Sequence, residues 1–259
     1  MIWINGQFTE NDMALSVLDK LNLGMSVFTT ILANKKKLIW VEDHIERLFR
    51  HASVLDLKVP FSIQDMSSAG QELLSKTAWD FSALRIQVTA GIGARGLEYP
   101  EKPTVFITCN EAANPANASS VSVIVEKKYR RNETDPLSRI KSGNYGTSAL
   151  FRKQAKEQGY DDVIFLNMKG NITCATTSNI ILEKGGRFMT PPLEDGVMDG
   201  ITRAKIMDQY DAQTISLTLE DLEQADFIWL ANSFAIRPVL RVDNIEKDVR
   251  PLILQDWLC

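Results

Sequence analysis

The chain has 259 residues, of which 44% are hydrophobic and 24% charged, so it can fill one large core or two modest domains. Its formal net charge of -4 and the lack of a basic tract argue against nucleic-acid binding. No apolar run reaches membrane-spanning length, and Met1–Gly6 predicts a strand rather than a signal peptide. Three widely spaced cysteines, an odd number, are typical of reduced thiols in a cytoplasm.

The histidines and cysteines of the sequence give little support to a metal site or a hydrolytic catalytic triad. The two histidines, His44 and His51, fall on a single predicted helix. This spacing offers no metal cage, and a hydrolytic triad is equally poorly supported.

The first 110 residues alternate between strand and helix patterns. An Asn5-Gly6 turn predicts a hairpin over 1–9, and helical apolar spacing predicts a helix over 43–57 with Arg47 off its apolar stripe. The glycine-rich loop 91–96 is either a mobile loop near a site or a plain connection. The remaining predictions are strands 27–32, 84–89 and 104–109, a turn at 35–37 and a helix after the Ser62 cap.

A small, polar stretch over 110–120 is the one convincing linker. It predicts an N-terminal domain over 1–113, a linker over 114–120 and a larger C-terminal domain over 121–259 that carries Lys141. Patterns in the second half predict strands 121–126, 162–167, 171–174, 178–184, 187–190, 213–218 and 226–231. They also predict helices 147–158, 201–210 and 249–258 and a short acidic helix between the last two strands. Mixed strands and helices in two segments predict an α/β (α+β) fold.

Lys141 is the residue around which the chemistry can be organised. It lies between a strand-like segment and the start of an amphipathic helix. A lysine that burial keeps partly neutral can condense with an aldehyde, whereas most lysines are solvated surface charges.

Three further features supply phosphate donors. Gly200-Ile201-Thr202 is a loop-to-helix junction whose free N–H groups and positive helix end suit a phosphate, although such a threonine is usually a cap. Arg47 supplies a spare cation, and Asn232-Ser233 follows a buried strand. With Lys141 they match the needs of a phosphorylated aldehyde cofactor, while each has a common structural explanation.

The order of these motifs resembles the class IV aminotransferases, the fold-type IV pyridoxal-phosphate enzymes. The resemblance covers nearly the whole chain. It is carried by Phe28-Thr29-Thr30, His44–Leu48, Lys141–Tyr145, Gly170–Asn179, Thr190-Pro191, Gly200–Arg203 and Asn232–Val239. It implies two α/β domains with pyridoxal 5'-phosphate in the cleft between them, and a homodimer whose partner helps close the site.

The resemblance also implies roles for single residues. Lys141 would be the Schiff-base lysine and proton shuttle, and Arg47 would bind the cofactor phosphate beside the Ile201 backbone and Thr202. Asn232 or Ser233 would complete the phosphate cup, and Tyr145 would contact the cofactor face.

One departure concerns the cofactor ring. Most members carry a glutamate five residues before the asparagine of the Ser178-Asn179 pair, and it keeps the pyridine nitrogen protonated. Cys174 occupies that position here, and a thiol cannot act as a carboxylate counter-ion. The electron sink should therefore be weaker, unless a carboxylate comes from elsewhere.

Within the family, the sequence favours the 4-amino-4-deoxychorismate lyase reaction, which yields 4-aminobenzoate and pyruvate. The features that resemble lyases are the short length, the opening Met-x-x-Ile-Asn-Gly, Phe28-Thr29-Thr30 and the Gly93–Gly96 loop. Phe28, Thr30 and Arg95 would contact a small amino substrate, although Arg95 is equally an ordinary exposed arginine. The alternatives are a D-amino-acid or branched-chain aminotransferase and a weakly active cofactor-binding protein.

Overall fold

The structure is a computed structural model that describes residues 1–10, 15–255 and 257. It divides into two compact units. Unit 1 comprises Met1–Asn114 together with Ile140–Asn144, and unit 2 comprises Pro115–Arg139 and Tyr145–Cys259. The expected C-terminal domain over 121–259 thus differs from unit 2, because the short segment that carries Lys141 packs with unit 1.

As far as the structure describes it, unit 1 is an antiparallel sheet with two α-helices. Its strands follow the order β2-β1-β6-β5-β3-β4. Nine consecutive residue pairs join β3 to β5, and the unit's core includes fully buried Ile31, Leu84 and Ile107. The bounds are β1 Ile2–Ile4, β2 Gln7–Thr9, β3 Ser26–Asn34, β4 Lys37–Leu38, α1 Val41–Val54, α2 Ile63–Ser75, β5 Phe81–Thr89 and β6 Thr104–Glu111.

Local chemistry accounts for the element ends in unit 1. The hairpin prediction is confirmed, since Asn5 and Gly6 both take positive φ, the geometry of a tight two-residue turn. Ser62 and Asp65 form a capping box at the start of α2, as the predicted cap requires. The helix expected over 43–57 is present as α1, which begins at Val41 and ends at Val54.

In its described residues, unit 2 is a mixed sheet with three α-helices. Its strand order is β12-β11-β10-β13-β14-β7-β8-β9, and β15 pairs with β14. The bounds are β7 Val121–Arg131, α3 Gly146–Glu157, β8 Asp162–Asn167, β9 Ile172–Ala175, β10 Asn179–Lys184, β11 Arg187–Thr190, α4 Ile201–Tyr210, β12 Gln213–Thr214, α5 Leu219–Gln224, β13 Phe227–Asn232, β14 Ala235–Val242 and β15 Ile245–Glu246.

One pairing closes the larger sheet on itself. β9 pairs with β8 on one side and, through Cys174 and Asn179, with β10 on the other. Strands β10, β13, β14, β7, β8 and β9, in this spatial order, therefore form a closed ring. Its interior is apolar and includes Val123, Ile164, Ile180 and Leu230. Cys174 and Asn179 are consequently fixed by the sheet itself.

The C-terminal tail differs from its prediction. No helix forms over 249–255, and Asp256 and Leu258 of the predicted helix lie outside the described residues. Leu252, Leu254 and Trp257 are buried, whereas Ile253 is 69% exposed. This alternation is typical of extended chain. Side chains bind its carbonyls, because Trp229 Nε1 donates to Arg250 O at 2.8 Å and Tyr210 OH to Ile253 O at 2.6 Å.

Smaller differences concern unit 2 and the glycine loop. Only Gln213 and Thr214 of the strand expected over 213–218 pair, and β14 was not predicted. Lys20 Nζ donates to Gly96 O at 2.7 Å, which supports the plain-connection interpretation of 91–96. Within the described ranges, no helix is long and apolar enough to cross a bilayer. Cys109 and Cys174 are free thiols, and Cys259 lies outside those ranges.

Candidate active site

Lys141 is tied into unit 1 through its backbone. Phe28 N donates to Lys141 O at 2.9 Å and Gly143 N donates to Ser26 O at 2.8 Å. Lys141 N donates to Nδ1 of His51 at 3.0 Å. These bonds, with a bridge between Val27 and Ser142, attach the segment to the start of β3 and to the last turn of α1. They explain why the segment packs with unit 1.

The Lys141 amine has an environment that favours its neutral form. Burial, followed by the nearby cations of Arg47 and Arg85, lowers the pKa of Lys141 from 10.5 to about 7. Nζ lies 4.6 Å from the centroid of the Phe28 ring. Near neutral pH the amine is therefore divided between its protonated and neutral forms, as nucleophilic attack on an aldehyde and proton transfer both require.

Arg47, which helical spacing places off the apolar stripe, is nevertheless buried. Its side chain is 2% exposed, and Nη2 donates to Thr29 Oγ1 at 3.0 Å. His44 Nδ1 also lies 2.8 Å from Thr29 Oγ1. The helix face that carries Arg47 therefore packs on β3, and the guanidinium is held in a fixed position beside the strand.

The three expected substrate residues lie in different surroundings. Phe28 and Thr30 are two positions apart on β3, so both side chains stand on one face of the sheet. The Arg85 guanidinium carbon lies 3.8 Å from the Phe28 ring centroid, so Phe28 contacts both Arg85 and Lys141. Arg95 is exposed in the 91–96 loop. The structure groups Phe28 with Lys141 in unit 1.

In unit 2, the start of α4 is shaped for a close backbone approach. A Cβ at Gly200 would lie 1.9 Å from Asn179 Oδ1, so only glycine fits beside that amide. In the part of the chain that the structure describes, no side chain caps this helix at Gly200. The N–H groups of its first turn are consequently available to an anion.

Thr202 provides the test of whether a phosphate group fits. Its hydroxyl is buried, yet Oγ1 has no hydrogen-bond partner among the described residues. A buried hydroxyl without a partner is unfavourable, and a phosphate oxygen at the helix N-terminus would supply one. The donor set of Thr202, the Ile201 backbone and the helix end therefore fits the phosphate of pyridoxal phosphate.

Cys174 is buried at the point where the sheet of unit 2 closes. Asn179 Nδ2 donates to Cys174 Sγ at 3.7 Å and to Met198 O at 2.9 Å. The Cys174 side chain is 4% exposed, and the charge of Arg203 is close enough to interact with it. The position is therefore occupied by a sulfur atom that an amide and a buried cation adjoin.

Asn232, Ser233 and Tyr145 lie at turns and helix ends of unit 2. Asn232 Oδ1 accepts from the backbone N–H groups of Phe234 and Ala235, and Nδ2 donates to Ser178 Oγ at 3.1 Å. The Asn232 side chain thus builds the turn between β13 and β14 on which Ser233 sits. Tyr145 precedes the first residue of α3.

Three residues of these sites were missed at the sequence level. His51 binds the Lys141 backbone, Arg85 is a second cation near the amine, and Arg203 holds the loop before α4. Arg203 Nη2 donates to Pro191 O at 2.8 Å and Nε donates to Thr190 Oγ1 at 3.2 Å. The helical spacing of His51 from His44 and Arg47 was the available signal.

Comparison with known proteins gives the family. The family model described as Amino-transferase class IV matches residues 26–244. The chain belongs to this family. The predictions of a class IV, fold-type IV pyridoxal-phosphate enzyme are therefore confirmed.

Relatives differ in the reactions for which they are named. A "Probable branched-chain-amino-acid aminotransferase" of Rickettsia bellii is 30% identical, over 95% of this chain and 86% of that protein. Aminodeoxychorismate lyase of Bacillus subtilis is 28% identical, over 95% and 87%. The branched-chain aminotransferase of Thermoproteus uzoniensis, solved with norvaline, superposes with a TM-score of 0.88 at 26% identity, over 96% and 89%.

The buried amine makes a prediction about apoprotein stability. In the unfolded chain Lys141 is protonated below a pKa of 10.5, whereas in the folded chain it is protonated only below a pKa of about 7. The buried amine therefore destabilises the fold increasingly as the pH falls from 10.5 to about 7. Lys141→Met should raise the free energy of unfolding of apoprotein by about 4 kcal/mol at pH 7, with a smaller gain at higher pH. Urea unfolding across this range measures it; an equal gain at every pH would contradict it.

Thr202→Val should separate phosphate binding from stability. The variant removes a buried hydroxyl that has no protein partner, so apoprotein stability should stay equal or rise by about 1 kcal/mol. Cofactor affinity should fall roughly tenfold, the effect of about one hydrogen bond to a charged group. Thermal unfolding and cofactor titration measure the two effects. Thr218→Val, which removes the helix cap of α5, is the control that should lose stability and retain affinity.

Proposed function

We propose that this chain is a pyridoxal-phosphate-dependent lyase that converts 4-amino-4-deoxychorismate to 4-aminobenzoate and pyruvate. The observation on which the choice of reaction depends is Cys174, a buried thiol where the family resemblance expects a carboxylate. The similarity to the Bacillus subtilis lyase over 95% of the chain supports the same choice.

The bound cofactor would supply an aldehyde for the substrate amine and a ring that withdraws electrons. In the proposal, Lys141 provides the amine that holds the cofactor and the base that takes the hydrogen from the ring carbon bearing the substrate amine. Its pKa of about 7 suits both tasks. In the same proposal, the phosphate is bound by Arg47, the Ile201 N–H and Thr202, with Asn232 or Ser233 as a further donor. Tyr145 contacts the cofactor face.

Cys174 favours elimination over transamination on energetic grounds. A thiol next to the ring nitrogen stabilises its protonated form less than a carboxylate does, so negative charge on the substrate carbon is stabilised less. Transamination depends on that charge being held until a proton returns. In the lyase reaction, loss of pyruvate yields an aromatic ring, which provides its own driving force. The reaction also balances without a second substrate.

An aminotransferase is the second candidate. The similarity to a relative named as a branched-chain-amino-acid aminotransferase supports it. A branched-chain or D-amino-acid substrate would then be used with a keto-acid acceptor. The third candidate is a cofactor-binding protein of low activity, for which the replacement of the usual glutamate by Cys174 is the reason. We also propose that the chain acts as a homodimer in the cytoplasm.

Two assays test the cofactor role and the reaction. Purified protein should be yellow, and Lys141→Ala should lose the absorbance of the lysine-bound cofactor while it keeps its fold. Pyruvate should appear from 4-amino-4-deoxychorismate without any added keto acid, as a coupled lactate dehydrogenase assay measures. If the enzyme consumes an amino substrate only when a keto acid such as 2-oxoglutarate or pyruvate is supplied as amine acceptor, the aminotransferase candidate is correct instead.

Cys174→Glu tests the electron-sink argument. The introduced carboxylate would adjoin the Arg203 cation, whose charge already interacts with residue 174, so the fold should tolerate it. Amine transfer to 2-oxoglutarate should appear or rise about tenfold or more, because a protonated ring nitrogen stabilises the carbanion. Cys174→Gln is the matched control without charge, and an equal gain in both variants would refute the argument.

A further inference from the structure

The Lys141 peptide is bound in an unusual way. Its carbonyl accepts from the Phe28 N–H of β3, as a neighbouring strand would arrange, but its N–H donates to a side chain, Nδ1 of His51, at 3.0 Å. A backbone N–H in a folded chain needs an acceptor, and here an imidazole supplies it. His51 is 4% exposed, so its ring is fixed by packing.

The geometry specifies the protonation state of the His51 ring. A nitrogen that accepts a hydrogen bond carries no proton, so Nδ1 is the bare nitrogen and any ring proton resides on Nε2. An imidazolium, which carries protons on both nitrogens, could not make this contact. His51 therefore binds the Lys141 backbone as a neutral ring.

The position of His51 on α1 joins two parts of unit 1. His44, Arg47 and His51 are spaced i, i+3 and i+7, so they share one helix face, and all three are buried. Through Thr29 Oγ1, which lies 2.8 Å from His44 Nδ1 and accepts from Arg47, this face is bound to β3. The same strand binds the Lys141 carbonyl. Helix and strand thus hold the lysine peptide from two sides.

We propose that His51 is a positioning residue that fixes the Lys141 backbone, and so aims the amine, by accepting the Lys141 N–H at Nδ1. The inference rests on the proposed role of Lys141 as the cofactor lysine. His51 acts through the lysine backbone.

The charges around the amine give this role a measurable consequence. Arg47 and Arg85 are the cations that act on Lys141, and with burial they lower its pKa to about 7. If the lysine peptide is released, the amine can move away from both guanidinium groups and toward water. Its pKa then rises, and less neutral amine is available at neutral pH to condense with an aldehyde.

Nuclear magnetic resonance can test the ring state. The chain contains two histidines, so untagged, cofactor-loaded protein with ¹⁵N-labelled histidine gives two sets of ring signals. The set that disappears in His51→Asn belongs to His51. We expect the proton on Nε2 and a bare, hydrogen-bonded Nδ1. A proton on Nδ1 at neutral pH would overturn the proposal.

Cofactor loading can test the positioning itself. The rate at which full-length apoprotein gains the absorbance of lysine-bound cofactor is measured against pH for wild type, His51→Leu and His51→Asn. His51→Leu keeps the bulk but removes the acceptor, and its inflection should move up by about one pH unit. His51→Asn supplies Oδ1 as an acceptor and should restore an inflection close to that of wild type.

Controls separate positioning from general destabilisation and from the proposed function. Leu73→Ala empties a buried site on α2 and should lower the unfolding temperature without moving the inflection. Equal shifts in His51→Leu and His51→Asn, or none in either, would reject the role of the acceptor. Lys141→Ala must abolish the absorbance of lysine-bound cofactor. If this variant still gains that absorbance, Lys141 is not the cofactor lysine and the role of His51 is rejected with it.

Discussion

The amine of Lys141 must remain partly neutral inside a folded protein, and much of the geometry around it follows from this constraint. Burial alone lowers the pKa of an amine, but burial also makes any loose polar group unfavourable. The structure meets both requirements by binding the lysine peptide to β3 and to His51 while Arg47 and Arg85 face the amine. A surface lysine would need none of these contacts, which is why their combination points to chemistry rather than solubility.

Unit 2 contains hydrogen-bond donors at the start of α4 that have no protein acceptor among the described residues and could bind an anion. The glycine before α4 admits the Asn179 amide, the first turn of the helix is uncapped within the described chain, and the Thr202 hydroxyl is buried without a protein partner. A cap residue or a bonded threonine would stabilise the apoprotein. Leaving these groups unsatisfied is unfavourable for the fold and favourable for phosphate, so the local instability is consistent with a binding role.

Local patterns were sufficient to predict most of the helices and strands. The Ser62 capping box and the Asn5-Gly6 turn each act over a few residues, so sequence alone identifies them. Long-range contacts were not accessible in this way. His51 lies 90 positions from Lys141, and no periodicity reports that its ring accepts that N–H. Helical spacing also placed Arg47 off the apolar stripe, although tertiary packing buries it against Thr29.

The effect of Cys174 extends beyond the loss of a carboxylate. Its backbone pairs with Asn179 to close the sheet of unit 2, and the Asn179 amide binds both the Cys174 sulfur and Met198 O. That same amide occupies the space a Cβ at Gly200 would need. A change in size or charge at residue 174 therefore acts on the amide that adjoins the start of α4, where Thr202 lies. Under the proposed function, where residue 174 adjoins the cofactor ring and Thr202 its phosphate, the Asn179 amide would link the two positions.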